Sequence, residues 1–318
     1  MYREQIRVLD CTIRDGGLMN NHQFDTDFVR KVYKGVSASG MDYFEIGYKN
    51  SKRLFSSEEY GLWKFCDDAD IRKVVDGVEN GSKISVMVDI GRVDMEDIKP
   101  ANESPVDMIR VASYAKDIDK AIKLVEHFHS LGYETTINVM AISRVLSNGL
   151  EEALRQVENE SNVDAVYIVD SFGALYQETV EFLMEKYTSI LKTKEVGVHM
   201  HNNQQLAFGN TIEGIIHGAN YLDSTILGMG RAAGNCHTEL LLGFLKNPKF
   251  DIRPILDLIA KQFVPLRKKV EWGYLIPYMI TGMLDEHPRT AMALRKTDKK
   301  EEYREFYETM IGSDSDLD

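Results

Sequence analysis

Residues 163–171 read VDAVYIVDS, residues 176–191 YQETVEFLMEKYTSIL, and residues 195–203 EVGVHMHNN. The two outer stretches are short, rich in Val and Tyr, and apolar with little alternation. That is the pattern of parallel strands covered on both faces. The stretch between them carries apolar residues at helical spacing. Together they predict strand, helix, strand, the unit of an α/β fold.

The same alternation extends outward in both directions. Further strands are expected at 6–13 (IRVLDCTI), 41–48 (MDYFEIGY), 83–90 (KISVMVDI), 106–113 (VDMIRVAS), 133–142 (YETTINVMAI) and 221–228 (YLDSTILG). Helices are expected at 25–39, with Asp25 and Thr26 as caps and Gly40 as the stop, at 117–131 with Gly132 as the stop, and at 149–160 and 203–218. The region 51–82 is less regular, with helices near 57–66 and 70–76. Eight strands, each followed by helix or turn, predict a (β/α)8 TIM barrel more than an open sheet. After residue 250 the alternation gives way to helices, in which Pro265 and Pro277 should end or kink a segment. The expected organisation is a barrel over 1–248 and a helical extension over 249–318 ending in a disordered acidic tail, SDSDLD.

Length and composition fit this. The chain has 318 residues, 43% of them apolar, enough for one large barrel with its extension. A net charge of −12 with no segregated basic patch argues against nucleic acid. No apolar run is long enough to span a membrane, and the N-terminus lacks an apolar signal region. Three scattered cysteines, Cys11, Cys66 and Cys236, read as reduced thiols rather than a disulfide framework. A cytoplasmic protein is expected.

Active sites in this fold lie at the C-terminal ends of the strands. Three polar runs stand there: DCTIRDGG at 10–17, HMHNN at 199–203 and GMGRAAGN at 228–235. On a strand, His199 and His201 point to the same side. Two imidazoles and a carboxylate make a divalent-metal site with open positions, and Asp15 on the neighbouring first strand is the natural third ligand. The plainer alternative is a hydrogen-bonded histidine pair. Arg14 either holds a carboxylate or an enolate oxygen, or closes the mouth by a salt bridge. Gly16 and Gly17 should allow positive φ and close ligand approach. GMGRAAGN is either a phosphate-cradling turn at a helix start or a structural turn that presents Asn235.

With these three runs in order on strands one, seven and eight, the sequence resembles the DRE-TIM metallolyase superfamily, the HMG-CoA-lyase-like barrels, over about residues 5–245. It is most similar to the 4-hydroxy-2-oxovalerate aldolase branch, through RDGGLMNNHQF, IRVAS and VDSFGAL. The resemblance implies a Mg²⁺- or Mn²⁺-dependent lyase that breaks or forms a carbon–carbon bond of a 2-oxo acid through a pyruvate-type enolate. It implies Asp15, His199 and His201 as metal ligands, with Asn235 beside them, and Arg14 as the enolate-stabilising arginine. It further implies Glu45 as the acid supporting Arg14, Asp170 as the polar end of strand six, and Gly16, Gly17 and Asn202 as substrate contacts. One departure stands out: the aldolases carry a catalytic histidine two residues after the Gly of the RDG turn, where this chain has Leu18. His22 is then the candidate base by reach, against the plainer reading of a loop histidine. Tyr274 or Tyr278 is the candidate for the family's enolate-protonating tyrosine. Two alternatives follow from Leu18: an acyl-CoA-dependent condensing synthase or HMG-CoA-lyase-like enzyme, and a non-catalytic barrel that partners a dehydrogenase. In the related aldolases the helical region contacts an aldehyde dehydrogenase, so that partner, and a homo-oligomer, are carried as expectations.

Overall fold

The computed structural model describes residues 3–145 and 148–313. Eight parallel strands close into a barrel in sequence order: β1 (Arg7–Asp10), β2 (Tyr43–Tyr48), β3 (Lys83–Asp89), β4 (Met108–Ser113), β5 (Glu134–Val139), β6 (Ala165–Asp170), β7 (Glu195–Met200) and β8 (Tyr221–Ser224), with β8 pairing back onto β1. The strand residues that face outward, among them Val8, Ile46, Val86, Val111, Ile168 and Val198, join the buried helix faces in one apolar layer. The inward-facing set is different. Leu9, Tyr43 and Met108 cluster at the floor, and Ala165, Tyr167 and Val169 form a second cluster. A buried layer of charge, Glu45, Arg110 and Asp223, crosses the interior.

A five-residue helix, α1 (Thr12–Gly16), follows β1 directly; then come α2 (Thr26–Ala38), α3 (Asp68–Val75), α4 (Ile118–Ser130), α5 (Asn148–Glu160), α6 (Gln177–Ile190), α7 (Ala207–Ile216) and α8 (Thr238–Leu245). β3 and β4 are joined through short 3₁₀ turns at Met95–Asp97 and Ala101–Glu103.

Several elements are shorter than the sequence predicts. The first strand stops at Asp10 because the Asp10 carboxylate accepts from the Thr12 amide and hydroxyl and turns the chain into α1. Strand eight stops at Ser224, where Thr225 leaves the ladder to bridge His237. The helix expected at 57–66 reduces to a 3₁₀ turn at Leu62–Lys64, and the one expected from 203 begins at Ala207.

Beyond the barrel run α9 (Arg253–Leu258), a π-turn (Ile259–Phe263) and α10 (Val264–Arg267), then α11 (Ile276–Met283), α12 (Arg289–Leu294) and α13 (Tyr303–Ser313). Pro265 sits just after the π-turn, the wider turn that a residue without an N–H invites. Pro277 lies in the first turn of α11, where its missing N–H costs nothing. α9 and the π-turn pack against α2 on the flank of the barrel, through Leu258 on Gly35 and Phe263 on Phe28, and the later segment covers the strand ends. Asn203 Nδ2 donates to the Tyr278 carbonyl, and the Trp272 indole donates to the Leu227 carbonyl. No described helix is long and apolar enough to cross a membrane. Of the expected acidic tail, residues 314–318 lie outside the described residues.

Candidate active site

Asp15, His199 and His201 converge at the C-terminal end of the barrel. All three are buried, and one ligand atom from each lies within 4.8 Å of the others. β7 carries the two histidines with a spacing of two, so both rings enter the mouth, 5.0 Å apart and near perpendicular. α1 presents Asp15 from the other side.

What surrounds these groups sets their protonation. His199 Nδ1 lies 2.8 Å from Asp223 Oδ2, and His201 Nδ1 lies 2.9 Å from the Asp170 carbonyl. A carboxylate and a carbonyl accept only, so Nδ1 carries a proton in both rings and Nε2 is the nitrogen left to face the mouth. His201 Nε2 is buried with no hydrogen-bond partner and stands 3.6 Å from Asp15 Oδ2. Burial holds His201 neutral, well below the usual imidazole range, against the pull of Asp15. Burial opposes ionisation of Asp15 too, but the Arg14 guanidinium outweighs it and keeps the carboxylate charged. A charged carboxylate and two imidazoles, one of them with an orphaned buried nitrogen, are the donor set of a divalent cation, and the residues fit one.

Arg14 stands beside this trio in a two-sided clamp. Its Nε donates to Glu45 Oε2 at 2.7 Å and its Nη1 to Asp15 Oδ1 at 2.8 Å. Glu45 Oε1 is also 3.1 Å from Arg110, which pairs with Asp223 at 2.6 Å. A continuous chain of charge therefore runs from His199 through Asp223, Arg110 and Glu45 to Arg14. Arg110 also lies over the Tyr167 ring, 4.4 Å from its centre. Among the described residues, a cavity of about 70 Å³ opens onto the trio, walled by Leu18, Met87, Ala112, Met140 and Val169 and edged by Tyr48, Asp89, Asn138, Ser171 and Arg231.

The remaining predicted residues fall in distinct places. Asn235 donates to Asp15 through Nδ2, and its Oδ1 is buried without a partner. Asp170 accepts from the amides of Ala174 and Leu175, and burial pushes its carboxyl up to about 7 against those bonds. Its carbonyl orients His201, while its side chain does not line the cavity. Asn202 accepts from the Ala207 amide at the start of α7.

The expected positive φ at Gly16 and Gly17 is not found: both are right-handed helical, at −61° and −59°. Gly17 is needed for space instead, since a Cβ there would lie 2.1 Å from His22 Nδ1. His22 is buried behind Gly17, edge-on to Tyr48 at 5.4 Å, with both ring nitrogens unpartnered. Burial, then Lys64 and Arg14, lower it to about 3. Tyr278 is buried in the helical extension and Tyr274 is exposed; neither lines the cavity. The 228–235 run opens no helix, since α8 begins at Thr238. It is the turn that delivers Arg231 and Asn235.

The sequence reading missed Arg110, Asp223 and Arg231. A charged residue inside an otherwise apolar strand (IRVAS, YLDS) is the signal for the first two, because a charge there must be paired inside the barrel. For Arg231 the signal is an arginine within a Gly-rich turn at a strand end.

Residues 5–260 match the model of the HMGL-like family. The chain is 31% identical over 270 residues to a 4-hydroxy-2-oxovalerate aldolase of Carboxydothermus hydrogenoformans, covering 84% of this chain and 79% of that one. It is 30% identical over 246 residues to an oxaloacetate decarboxylase of Mycobacterium tuberculosis, covering 77% and 71%. Among solved structures, the N-terminal domain of a Bacteroides vulgatus protein named as a candidate aldolase superposes with a TM-score of 0.79 at 30% identity, over 92% of this chain and 97% of that one.

Proposed function

The chain belongs to the HMGL-like family, and from that premise we propose that it is a divalent-cation-dependent aldolase that cleaves or forms a carbon–carbon bond of a 2-oxo acid. The observation that carries the reading is the convergence of Asp15, His199 and His201 beside a clamped Arg14. The condensing-synthase and non-catalytic alternatives are not favoured by relatives named as aldolases and a decarboxylase.

Mg²⁺ or Mn²⁺ held by Asp15, His199 and His201 would supply the Lewis acidity that polarises the 2-oxo group. Arg14 contributes the second positive charge. Glu45 and Asp15 occupy its Nε and Nη1, so the guanidinium is fixed and its remaining N–H groups are held ready for the enolate oxygen that develops as the bond breaks. Asp223 and the Asp170 carbonyl keep His199 and His201 in one tautomer and orientation. Asn235 tethers the far oxygen of Asp15. The apolar wall from Leu18 to Val169 limits water around the enolate.

The proton of a 4-hydroxyl group must go to a base. Two side chains compete: Asp89, which lines the cavity, and His22, neutral and unpartnered behind Tyr48. The variant pair Asp89→Asn and His22→Asn separates them by which one abolishes cleavage while sparing cation binding.

The test of the function is exchange of pyruvate methyl protons for deuterium, with and without Mn²⁺. Cation-dependent exchange that His199→Ala lowers by about 10²-fold or more supports the reading, as expected on loss of a metal ligand. Exchange indifferent to the cation, or retained in His199→Ala, sinks it.

A further inference from the structure

We propose that Arg231 is a specificity-determining residue that binds a second anionic group of the substrate, so that the enzyme's aldol partner is an oxo acid carrying its own carboxylate rather than an uncharged aldehyde. The inference rests on the aldolase reading above and deepens it.

The other two arginines inside the barrel and its mouth are each held by two carboxylates: Arg14 by Asp15 and Glu45, and Arg110 by Glu45 and Asp223. Arg231 forms no salt bridge among the described residues, although it lines the same cavity. Its Nη2 donates to the Ser171 carbonyl at 2.5 Å, and its Nε is a buried donor with no partner. Asp285 and Glu286, acids of the segment that covers this rim, are both engaged by Arg144. Asp15 is close enough to favour the Arg231 charge but lies beyond salt-bridge reach of the guanidinium. A guanidinium cannot shed its proton, so a half-buried one in that position is costly unless an anion arrives to meet it.

His287 supplies no counter-charge. Its Nε2 lies 3.3 Å from Arg231 Nη1 and its Nδ1 lies 3.1 Å from the Arg289 amide nitrogen. Only one nitrogen of a neutral imidazole can accept, and the charged guanidinium is the stronger donor, so Nε2 accepts from Arg231. Burial, with Arg231, Arg289 and Arg144 around it, lowers His287 to about 4, so the ring is neutral at pH 7 and leaves the arginine's charge unbalanced.

Arg14 turns toward β2 through Glu45. Arg231 reaches across the opposite rim to Ser171, just past β6, and its own amide donates to Asp15. The two arginines thus flank the Asp15–His199–His201 trio. A substrate whose 2-oxo acid end lies by Arg14 directs the carbons beyond its scissile bond toward Arg231. Cleavage of the C3–C4 bond of a 4-hydroxy-2-oxo diacid leaves the bond's electron pair on the pyruvate enolate. The proton of the 4-hydroxyl goes to the base, and the other half departs as an oxo acid.

The test compares matched acceptors in aldol addition to pyruvate with Mn²⁺: glyoxylate against acetaldehyde, and succinic semialdehyde against butanal. The wild type is expected to favour the anionic member of each pair in kcat/KM by about tenfold or more, the scale of one charge-assisted contact. Arg231→Met should collapse that ratio, mainly through a higher KM for the anionic acceptor, and Arg231→Lys should restore part of it. A wild type that prefers the neutral members overturns the proposal whether or not the variant folds, as does an Arg231→Met that lowers both members equally. Wild-type deuterium exchange into pyruvate, run in parallel, separates the two readings. Exchange with no anionic preference removes this inference and leaves the aldolase; absence of exchange removes both.

Discussion

Arg110 lies at the centre of the barrel with no exposed surface, between Glu45 and Asp223. Removing it leaves two buried carboxylates facing each other, so Arg110→Met should cost about 3–5 kcal/mol in urea unfolding, the range for breaking a buried ion pair on one side. It should also loosen both Arg14 and His199, since each is held by one of those carboxylates. His22 carries a pH signature. Its folded value of about 3 lies below the ordinary 6.5, so the unfolded chain takes up a proton that the folded chain refuses. That contribution to stability is complete above pH 6.5 and is lost as the pH falls toward 3, at up to about 1.4 kcal/mol per pH unit. His22→Asn keeps a residue tolerant of the positive φ of 59°. Denaturant unfolding at pH 7, 6 and 5 should show a shallower acid loss in the variant; parallel slopes would show that His22 is not the titrating group.

At the scale of the element, α2 shows why boundaries were readable in some places and not in others. Asp25 accepts from the Phe28 amide at 2.7 Å as a side-chain cap, and Gly40 takes φ +78° just past the end. Both were evident as residue types, and Asp25→Ala should cost about 1 kcal/mol in unfolding free energy. At Gly40 a Cβ would also lie 2.2 Å from the Lys249 carbonyl, so Gly40→Ala should cost more than the cap does. By contrast, DCTIRDGG looks like strand running into a flexible turn, and it folds as a short helix. Local apolar pattern does not reveal that Asp10 will bend back on Thr12, nor that Gly17 serves the packing of His22 rather than a left-handed turn.

For the molecule as a whole, the helical extension is joined to the catalytic end. The Gly273 amide donates to the Ala232 carbonyl, Trp272 to Leu227 and Asn203 to Tyr278, while Ala232, Ala233, Tyr278 and Ala291 form one buried cluster. A chain ending at residue 270 should therefore bind more of an apolar dye, melt several degrees lower and lose most Mn²⁺-dependent pyruvate exchange, because the turn carrying Arg231 and Asn235 loses its cover. Unchanged exchange would show that the extension does not support the mouth. The net charge of −12 gives no attraction for an anionic substrate. Attraction must come locally from Arg14, Arg231 and a bound cation.

The sequence by itself determined the barrel, because buried parallel strands and amphipathic helices leave separate periodic signals that do not depend on distant contacts. It also determined that His199 and His201 share a side, because two-residue spacing on a strand has only one geometric outcome. Tertiary structure alone decided the rest. Closure of β8 onto β1 brings Asp15 to the histidines, links Arg110 with partners 65 and 113 residues away, and leaves Arg231 beside the cavity with no salt bridge among the described residues. Those are through-space charge pairings, set by which side chains the closed barrel forces into the same low-dielectric volume. Local pattern carries no record of them.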